Sequence, residues 1–143
     1  MNILFVCTGN TCRSPMAEGL FEKYCQNEDI KSTSAGIYVI PGTKVSDFSI
    51  KALAHYDVDI SGHIPKQISS NVMCSYDLIL TMTNSHCDIL KNIAPHCADK
   101  VFSFGEFVGG DDISDPYGCD FEQYVICASQ IHSYVLKLIE RLC

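Results

Sequence analysis

The fold of this 143-residue chain is decided by residues 7–14, which read Cys-Thr-Gly-Asn-Thr-Cys-Arg-Ser. Residues 2–6 before it form an apolar run, which is typical of a parallel strand buried on both faces. A helical pattern follows directly, with Ser14 as the predicted cap and Pro15 at the first helical position. The stretch is therefore interpreted as a tight loop between a strand and a helix.

Strand and helix patterns alternate along the rest of the chain, without an internal repeat or a linker. The predicted strands are residues 2–6, 32–39, 77–82 and 100–104. Five helices are predicted. Three cover residues 15–27, 70–74 and 121–142, and the other two begin after the caps Ser46 and Asn84. This order predicts an α/β fold of the flavodoxin-like, three-layer kind: a single domain over residues 1–143, with a four-stranded parallel sheet and helices on both faces. The loop 105–119, rich in glycine and aspartate, follows the last strand and is expected at the same carboxyl edge as residues 7–14.

The composition describes a soluble globular protein, with 47% hydrophobic residues and a mean hydropathy of +0.10. Its net charge of −7 argues against nucleic acid or an anionic membrane as a partner. No apolar stretch approaches the length of a membrane span, and the N-terminus lacks the basic and apolar regions of a signal peptide. We therefore expect a cytoplasmic protein with no nucleic-acid or membrane partner. A monomer is the expected oligomeric state.

Nine cysteines is a high and odd number for such a chain. In a reducing compartment they are expected to stay as thiols rather than to form a disulfide framework. Seven lie outside the loop and are interpreted as small buried hydrophobic residues or surface thiols: Cys25, Cys74, Cys87, Cys97, Cys119, Cys127 and Cys143. They show no paired Cys-x-x-Cys spacing, which argues against a zinc site. We therefore predict no metal ion and no cofactor.

The loop has the composition of a phosphate cradle. Several backbone N–H groups can converge beside the positive end of the helix dipole, and Gly9 and Asn10 tolerate the left-handed backbone that such a nest needs. Arg13 can bind two phosphate oxygens through its planar guanidinium. The N–H groups, the helix dipole and Arg13 together create a positive potential at Cys7. Cys7 is therefore expected to be a thiolate at neutral pH, with Ser14 as a hydrogen-bond donor to its sulfur. These groups predict nucleophilic displacement at phosphorus through a phosphocysteine, without a metal.

The leaving group needs a proton, and Asp115 in the loop 105–119 is the candidate donor. Pro116 restricts Asp115 to an extended backbone, which helps to present its carboxyl group. Once the leaving group has departed, the same carboxylate can activate the water that hydrolyses the phosphocysteine. The simpler alternatives are a solvated surface aspartate, like the other aspartates nearby, and a tight turn beside a packed cysteine.

Over essentially the whole chain, these residues and the segments 34–36 and 62–63 resemble the low-molecular-weight protein tyrosine phosphatases. The resemblance implies that Cys7 is the nucleophile, Arg13 the phosphate clamp and Asp115 the general acid. It implies that the substrate and its phosphate contact Thr8, Gly9, Asn10, Thr11, Cys12, Arg13, Ser14 and Tyr117. It implies that the shape of the loop is held by Asn10, Ser14, Ser34 and His63. The expected partners are phosphorylated proteins, with inorganic phosphate or other oxyanions bound in the active site.

Within that family the loop resembles the protein-arginine phosphatase branch, because Thr11 stands where many tyrosine-directed members carry isoleucine or leucine. A phosphoarginine brings a planar, cationic guanidinium, which suits the hydroxyl of Thr11 and the carboxylate of Asp115. Gly118 replaces the second of two tyrosines common in tyrosine-directed members, which leaves Tyr117 as one aromatic wall. We therefore predict phosphoarginine as the substrate, with phosphotyrosine as the alternative.

Two other functional classes share parts of this pattern. Thiol-dependent arsenate reductases have the same loop and fold and need two further cysteines, for which Cys74, Cys87 and Cys97 are the candidates. A non-catalytic phosphate-binding module is a third possibility, although it would not need a nucleophile, a clamp and an acid together. Cys12 lies across the small loop from Cys7, and the pair is a candidate redox switch in which oxidation closes a disulfide. Simple packing of Cys12 is the alternative.

Overall fold

A four-stranded parallel sheet forms the centre of the computed structural model, which describes residues 1–143. Its strands are β1 (Asn2–Cys7), β2 (Lys31–Gly36), β3 (Leu78–Thr81) and β4 (Val101–Ser103). Their spatial order is β2-β1-β3-β4, so β1 lies inside the sheet and pairs with a neighbour on each side. This arrangement confirms the predicted α/β fold.

The side chains of β1 alternate between the two faces of the sheet, as the pleat of a strand requires. Ile3 and Phe5 belong to the larger of two hydrophobic clusters, and Leu4 and Val6 belong to the smaller one. All four side chains are buried. Burial on both faces is the physical reason why this strand reads as a continuous apolar run.

Helices cover both faces of the sheet, as predicted. The helices that face the larger cluster are α1 (Arg13–Tyr24), α2 (Asp47–Ala54), α5 (Phe104–Val108) and α6 (Phe121–Leu142). The elements that face the smaller cluster are α3 (Ser70–Cys74), α4 (Asn84–Ile93) and the 3₁₀ helix Pro95–Lys100. The longest of them is α6, with 22 residues, and none of the helices combines the length and the apolar character that a membrane crossing requires.

The start of α1 differs from the prediction. The helix begins at Arg13 rather than at Pro15, with Cys12 at the N-cap position and no side-chain cap. Ser14 therefore lies in the first turn of the helix. Its hydroxyl is not a cap but contacts Cys7 Sγ at 2.9 Å. The pattern Ser-Pro is typical of a helix start, but here the serine hydroxyl contacts the last residue of β1 and does not cap the helix.

Other predicted boundaries also differ from the structure, and α1 ends at Tyr24 rather than at residue 27. Thr83, and not Asn84, caps α4: its Oγ1 accepts a hydrogen bond from the His86 N–H at 3.1 Å. Both residue types are good caps, so the sequence alone does not separate the two neighbours. β2 ends at Gly36 rather than at residue 39, because the chain leaves the sheet there to run alongside the loop between β1 and α1.

The predicted loop 105–119 begins with a short helix, α5. Ser103 Oγ caps this helix by accepting a backbone N–H at 3.2 Å, and Gly109 ends it with a φ of +86°. A helix of five residues is too short to show an apolar period, so the sequence pattern missed it. The chain then returns to the sheet, where Ile113 is buried and its N–H binds the carbonyl that follows β3 at 2.9 Å. This anchor places Asp115 at the carboxyl edge.

Candidate active site

The loop between β1 and α1 keeps its backbone N–H groups free. None of the N–H groups of residues 8–12 donates a hydrogen bond within the chain. The carbonyls of Cys7, Thr8 and Thr11 instead accept N–H groups of the segment 37–46, at 2.8 to 3.0 Å. Because unpaired N–H groups at a helix N-terminus attract negative charge, the loop can bind an oxyanion.

One position of this loop has a left-handed backbone, Asn10, with a φ of +57°. The sequence prediction named Gly9 as well, and there it was wrong, because Gly9 does not have a positive φ. The loop instead lies close to Gly36, the last residue of β2, where an added Cβ would lie 2.8 Å from the carbonyl oxygen of Thr8. The glycine at 36 therefore allows the loop to pack against the end of β2.

The buried side chain of Asn10 makes four hydrogen bonds. Its Nδ2 donates to Ser14 Oγ at 2.7 Å and to Ser34 Oγ at 3.0 Å. Its Oδ1 accepts from His63 Nε2 at 3.0 Å and from the backbone N–H of Lys66 at 3.0 Å. Both donors and both acceptor sites of the amide are used, which assigns its orientation. The structure thus brings together the four residues that the resemblance names as loop support.

The Asn10 bonds set the direction of the Ser14 hydroxyl. Ser14 Oγ accepts the amide N–H of Asn10, so its own proton is left to donate to Cys7 Sγ at 2.9 Å. Cys7 is buried at the end of β1, with 3% of its surface exposed. A hydroxyl that donates to sulfur stabilises its anionic form, which is the nucleophilic form of cysteine.

Glu18 on α1 completes the network behind the loop. Ser34 Oγ donates to Glu18 Oε1 at 2.6 Å, and His63 Nδ1 lies 3.9 Å from the same oxygen. Burial lowers the pKa of His63, and the negative charge of Glu18 opposes this effect. His63 is therefore neutral at pH 7, and its Nε2–H is the donor to Asn10.

Arg13 and Asp115 meet although they are far apart in the chain. Arg13 is buried; its Nη1 donates to the carbonyl of Ile113 at 2.9 Å, and its Nη2 lies 3.6 Å from Asp115 Oδ2. The hydrogen bond to Ile113 uses one of the five guanidinium donors, and the ion pair with Asp115 uses none, so the other donors remain for a ligand. The Asp115 side chain is half-exposed, and its Oδ1 accepts the N–H of Tyr117 at 3.1 Å. A turn of two residues around Pro116 thus fixes the carboxyl group beside the arginine.

A cavity of about 300 Å³ opens over the loop. Its lining residues are Cys7, Thr8, Gly9, Thr11, Cys12, Arg13, Tyr38, Ile40, Thr43, Asp115 and Tyr117. The prediction of a single aromatic wall was wrong, because Tyr38, from the segment after β2, lines the same cavity as Tyr117. Ile40 adds an apolar side chain, and all three side chains are exposed and free to contact a substrate. Ser34 and His63 lie outside this lining and contact the loop through Asn10.

Comparison with known proteins agrees with this geometry. The profile of the low molecular weight phosphotyrosine protein phosphatases matches residues 2–143. The chain belongs to this family. A protein-arginine-phosphatase of Bacillus subtilis (strain 168) is 34% identical to it over 146 residues, which cover 99% of this chain and 97% of the relative.

Two solved structures show the same fold as this low-molecular-weight phosphatase. A low molecular weight protein tyrosine phosphatase from T. tengcongensis has a TM-score of 0.93 and 41% identity, and covers 99% of each chain. A mutant of the YwlE arginine phosphatase with a phosphorylated active-site serine has a TM-score of 0.93 and 34% identity, and covers 99% of this chain and 95% of that one. The active-site serine of that mutant thus carries a phosphoryl group.

His86 is a residue of the phosphatase site that the sequence analysis missed. It lies on α4, with its Nε2 at 2.8 Å from Thr8 Oγ1, while its Nδ1 is buried and has no partner. Burial, followed by the charge of Arg13, lowers its pKa to about 4, so the ring is neutral at pH 7. The tautomer with the proton on Nε2 avoids a buried N–H without a partner, and Thr8 then accepts this proton. Thr8 therefore keeps its own O–H proton for a bound oxyanion.

Cys12 and its neighbours form the other side of the phosphatase loop. Cys12 Sγ lies 3.6 Å from Thr11 Oγ1 and 3.6 Å from the hydroxyl of Tyr124. Burial raises the pKa of Tyr124 to about 12, so this hydroxyl keeps its proton and can donate to sulfur. Burial also raises the pKa of the neighbouring Cys127 to about 12, which makes that thiol unreactive. Cys127 is therefore not expected to compete with Cys12 for a disulfide bond to Cys7.

Proposed function

We propose that this phosphatase hydrolyses a phosphorylated protein side chain in two steps, through a phosphocysteine. The arrangement around Cys7 carries the proposal: a sulfur bound by the Ser14 hydroxyl, in a loop whose N–H groups at residues 8–12 have no partner. A thiolate in a cradle of donors attacks phosphorus, while the donors stabilise the oxygens on which charge builds up. The residues needed for both steps belong to this chain, and neither step needs a metal.

In the first step Cys7 Sγ attacks phosphorus, the bond to the leaving group breaks, and the leaving atom takes a proton from Asp115. In the second step water attacks the phosphocysteine, Asp115 takes a proton from this water, and the electrons of the S–P bond return to sulfur. Arg13 and the N–H groups of the loop stabilise the equatorial oxygens in both steps. The contact of 3.6 Å between Arg13 and Asp115 supports these roles, because it holds the acid beside the phosphate clamp.

We propose phosphoarginine as the substrate. Thr11 and Asp115 line the same cavity and supply the hydroxyl and the carboxylate that a guanidinium prefers. Tyr38 and Tyr117 fit this substrate too, because a planar guanidinium stacks on aromatic faces. The net charge of −7 also favours a cationic peptide over an acidic one. The similarity to a protein-arginine-phosphatase supports the same assignment.

Phosphotyrosine is the second candidate substrate, and the second aromatic wall favours it. Tyr38, Ile40 and Tyr117 together offer exposed apolar surface on which a phenyl ring can pack. A tyrosine phosphatase from T. tengcongensis also shares 41% of its residues with this chain. The choice between the two substrates therefore depends on Thr11 more than on the aromatic side chains.

The test compares two peptides of one sequence that carry either phosphoarginine or phosphotyrosine. We expect a higher kcat/KM for phosphoarginine, and a shift of the ratio toward phosphotyrosine by about 10-fold or more in Thr11→Ile, since a hydrogen bond to a charged group is lost. Thr43→Ile changes another threonine of the same cavity and is the matched control, for which both peptides should respond alike. A strong preference for phosphotyrosine that Thr11→Ile leaves unchanged would refute the arginine assignment.

The mechanism has its own test, which is independent of the substrate. Cys7→Ser should abolish turnover of both peptides and still bind inorganic phosphate, since the N–H groups of residues 8–12 and Arg13 are retained. Phosphate binding is measured by calorimetry and turnover by release of phosphate. Turnover that survives in Cys7→Ser, or phosphate binding that is lost with it, would contradict the proposed roles.

The arsenate reductase alternative is not supported by the position of its candidate cysteines. Cys74 precedes β3 and Cys97 precedes β4, so both lie at the amino edge of the parallel sheet, whereas Cys7 lies at the carboxyl edge. Cys87 is buried on α4, and burial raises its pKa. None of the three is placed to attack an adduct on Cys7.

We also propose that the phosphatase acts as a cytoplasmic monomer. The three residues to which the mechanism assigns chemistry, Cys7, Arg13 and Asp115, already meet in one cavity of a single chain, so the proposed chemistry does not require a second copy. A thiolate nucleophile stays reduced in the cytoplasm, where glutathione and thioredoxin oppose oxidation. Sedimentation of the purified protein tests the oligomeric state, and one species of about 16 kDa is expected, near the chain mass of 15.8 kDa.

A further inference from the structure

Three metal-ligating side chains meet at the opposite end of the sheet from the active site. Cys74 Sγ lies 3.0 Å from His96 Nε2 and 3.1 Å from Cys97 Sγ, and all three ligand atoms lie within 4.8 Å of one another. Cys74 and His96 are exposed, and Cys97 is buried. The function proposed above uses none of these residues. The absence of paired Cys-x-x-Cys spacing does not exclude this cluster, because its residues come from two separate segments.

We propose that Cys74, His96 and Cys97 bind one zinc ion, with water as the fourth ligand. Two thiolates and an imidazole are ligands that zinc prefers, and three protein ligands with an open position are typical of zinc sites that keep a bound water. Binding displaces the two thiol protons into solvent, so two thiolate charges balance the charge of the ion. The exposed sides of Cys74 and His96 give the ion a path into the site.

The present distances are close to what the ion requires. Bond lengths of about 2.3 Å to sulfur and about 2.0 Å to nitrogen place tetrahedral ligand atoms about 3.5 to 3.8 Å apart. Cys74 Sγ must therefore move away from its two partners by about half an ångström or slightly more. Side-chain rotations of the exposed Cys74 and His96 supply such a shift, and the buried Cys97 can stay in place.

The backbone around the cluster is already fixed. Cys74 is the last residue of α3, and the Ser75 N–H binds the carbonyl of Val72 at 3.1 Å. Cys97 lies in the 3₁₀ helix, and its N–H binds the carbonyl of Ala94 at 3.0 Å. Lys100 Nζ donates to the carbonyl of Cys74 at 3.1 Å and so links the two segments. The ligands therefore come from two ordered pieces of backbone.

The position of the cluster in the fold indicates what the ion would do. Cys74 precedes β3, and His96 and Cys97 precede β4. The site therefore joins the two ends of the segment that contains β3 and α4, at the amino edge of the sheet. Binding therefore cross-links two segments of the folded chain that separate on unfolding. Since the unfolded chain does not hold these ligands together, the ion stabilises the folded state. Catalysis at the carboxyl edge does not depend on it.

Cobalt substitution tests the site in reduced protein freed of metal with a chelator. We expect one equivalent of Co²⁺ to produce thiolate-to-metal charge-transfer absorption and intense visible bands of a tetrahedral ion, which Zn²⁺ then displaces. Cys74→Ser and His96→Ala should lose these bands. Cys119→Ser removes another exposed cysteine and should keep them. Cys7→Ser should keep them too, which separates this cluster from the active-site thiols.

Thermal unfolding gives a second measurement on the same proteins. Zn²⁺ at about 100-fold excess over its Kd should raise the Tm of the parent by about 5 to 10 °C, and should leave the Tm of Cys74→Ser unchanged. Phosphatase activity of Cys74→Ser should equal that of the parent. Absence of the cobalt bands, bands that persist in Cys74→Ser, or bands that disappear only in Cys7→Ser would overturn the proposal. Failure of the phosphatase mechanism would leave these readouts unaffected.

Discussion

The side-chain amide of Asn10 donates a hydrogen bond to Ser14 Oγ at 2.7 Å, and this bond determines what the serine can do. Because one lone pair of Ser14 Oγ is occupied by the amide, the proton of the hydroxyl is left for Cys7 Sγ at 2.9 Å. The orientation of Asn10 is in turn fixed by His63 and the backbone of Lys66. The proposed nucleophile at the end of β1 is thus linked to a loop more than 50 residues away.

Ser14→Ala should lower kcat by about 10- to 100-fold, because a hydrogen bond to a charged sulfur contributes about 1.5 to 3 kcal/mol. KM should change little, since the phosphate-binding N–H groups are retained. Steady-state kinetics on a small aryl phosphate measures both constants. Ser32→Ala is the matched control, since Ser32 is also buried but its Oγ has no partner, and it should keep full activity. An equal loss in both variants would show that the effect is not specific to the sulfur.

Asn10→Ala should destabilise the protein more than Asn10→Gly. Both changes remove the same four side-chain hydrogen bonds, but alanine must also adopt the φ of +57°, which costs a non-glycine residue about 1 kcal/mol. The Tm of the alanine variant should lie about 2 to 4 °C below that of the glycine variant. Calorimetric unfolding of the two variants measures this difference. A glycine variant that is no more stable than the alanine variant would show that backbone strain at this position is negligible.

The strand, the loop and the final helix could be predicted because their signals are local. β1 is apolar on both faces, and the apolar period of α6 extends over 22 residues. Cys7, Arg13 and Asp115 stood out because few other roles need such residue types at a strand–helix junction and a late loop. For these parts the sequence pattern and the tertiary structure favour the same conformation.

The rest of the site depends on contacts between distant segments, which no local pattern records. His86 reaches Thr8 across 78 positions of sequence, and Tyr38 enters the cavity only because the chain leaves the sheet after Gly36. Ser14 had the pattern of a cap, but the competing bond to Cys7 decided its role. One signal was available for His86: it lies in the first turn of a helix that follows a predicted strand, and so at the carboxyl edge.

The stability of the protein should fall between pH 6.5 and pH 4 because His86 is buried as a neutral ring. Its pKa is lowered to about 4 in the folded chain, mainly by burial, whereas the unfolded chain has the usual value of 6.5. Above pH 6.5 both states are neutral and the stability is fully present. Below it the unfolded state binds a proton that the folded state does not, so the free energy of unfolding falls by about 2 to 3 kcal/mol as pH approaches 4.

Urea unfolding at pH 7, 5.5 and 4.5 measures this slope, and His86→Gln should make it shallower. His63 is partly buried, and its lowered pKa contributes a slope of the same sign, which remains in the variant. His55→Gln is the control, since it makes the same change at an exposed histidine at the end of α2. If His86→Gln and the parent show the same pH dependence, His86 is not the group that titrates.

Asp115→Asn should lower kcat by about 100-fold or more for substrates whose leaving group needs a proton, because asparagine cannot donate one. The loss should be smaller for an activated aryl phosphate with a weakly basic leaving group. Comparing the two substrate types in one variant separates the proton transfer from changes in binding. Asp111→Asn is the control, as Asp111 lies in the same acidic loop but outside the cavity lining. A uniform loss on both substrates would indicate that Asp115 acts only through its contact with Arg13.

Peroxide should inactivate the enzyme reversibly through Cys7 and Cys12, which line one cavity. In this reaction the Cys7 thiolate attacks peroxide and becomes a sulfenic acid with release of hydroxide, and the Cys12 thiolate then displaces a second hydroxide to close the disulfide. Dithiothreitol should restore activity in the parent. In Cys12→Ser the sulfenic acid has no resolving thiol, so further oxidation should make the loss irreversible, whereas Cys119→Ser, changed at an exposed cysteine, should recover like the parent. Recovery in Cys12→Ser equal to that of the parent would exclude Cys12 as the resolving residue.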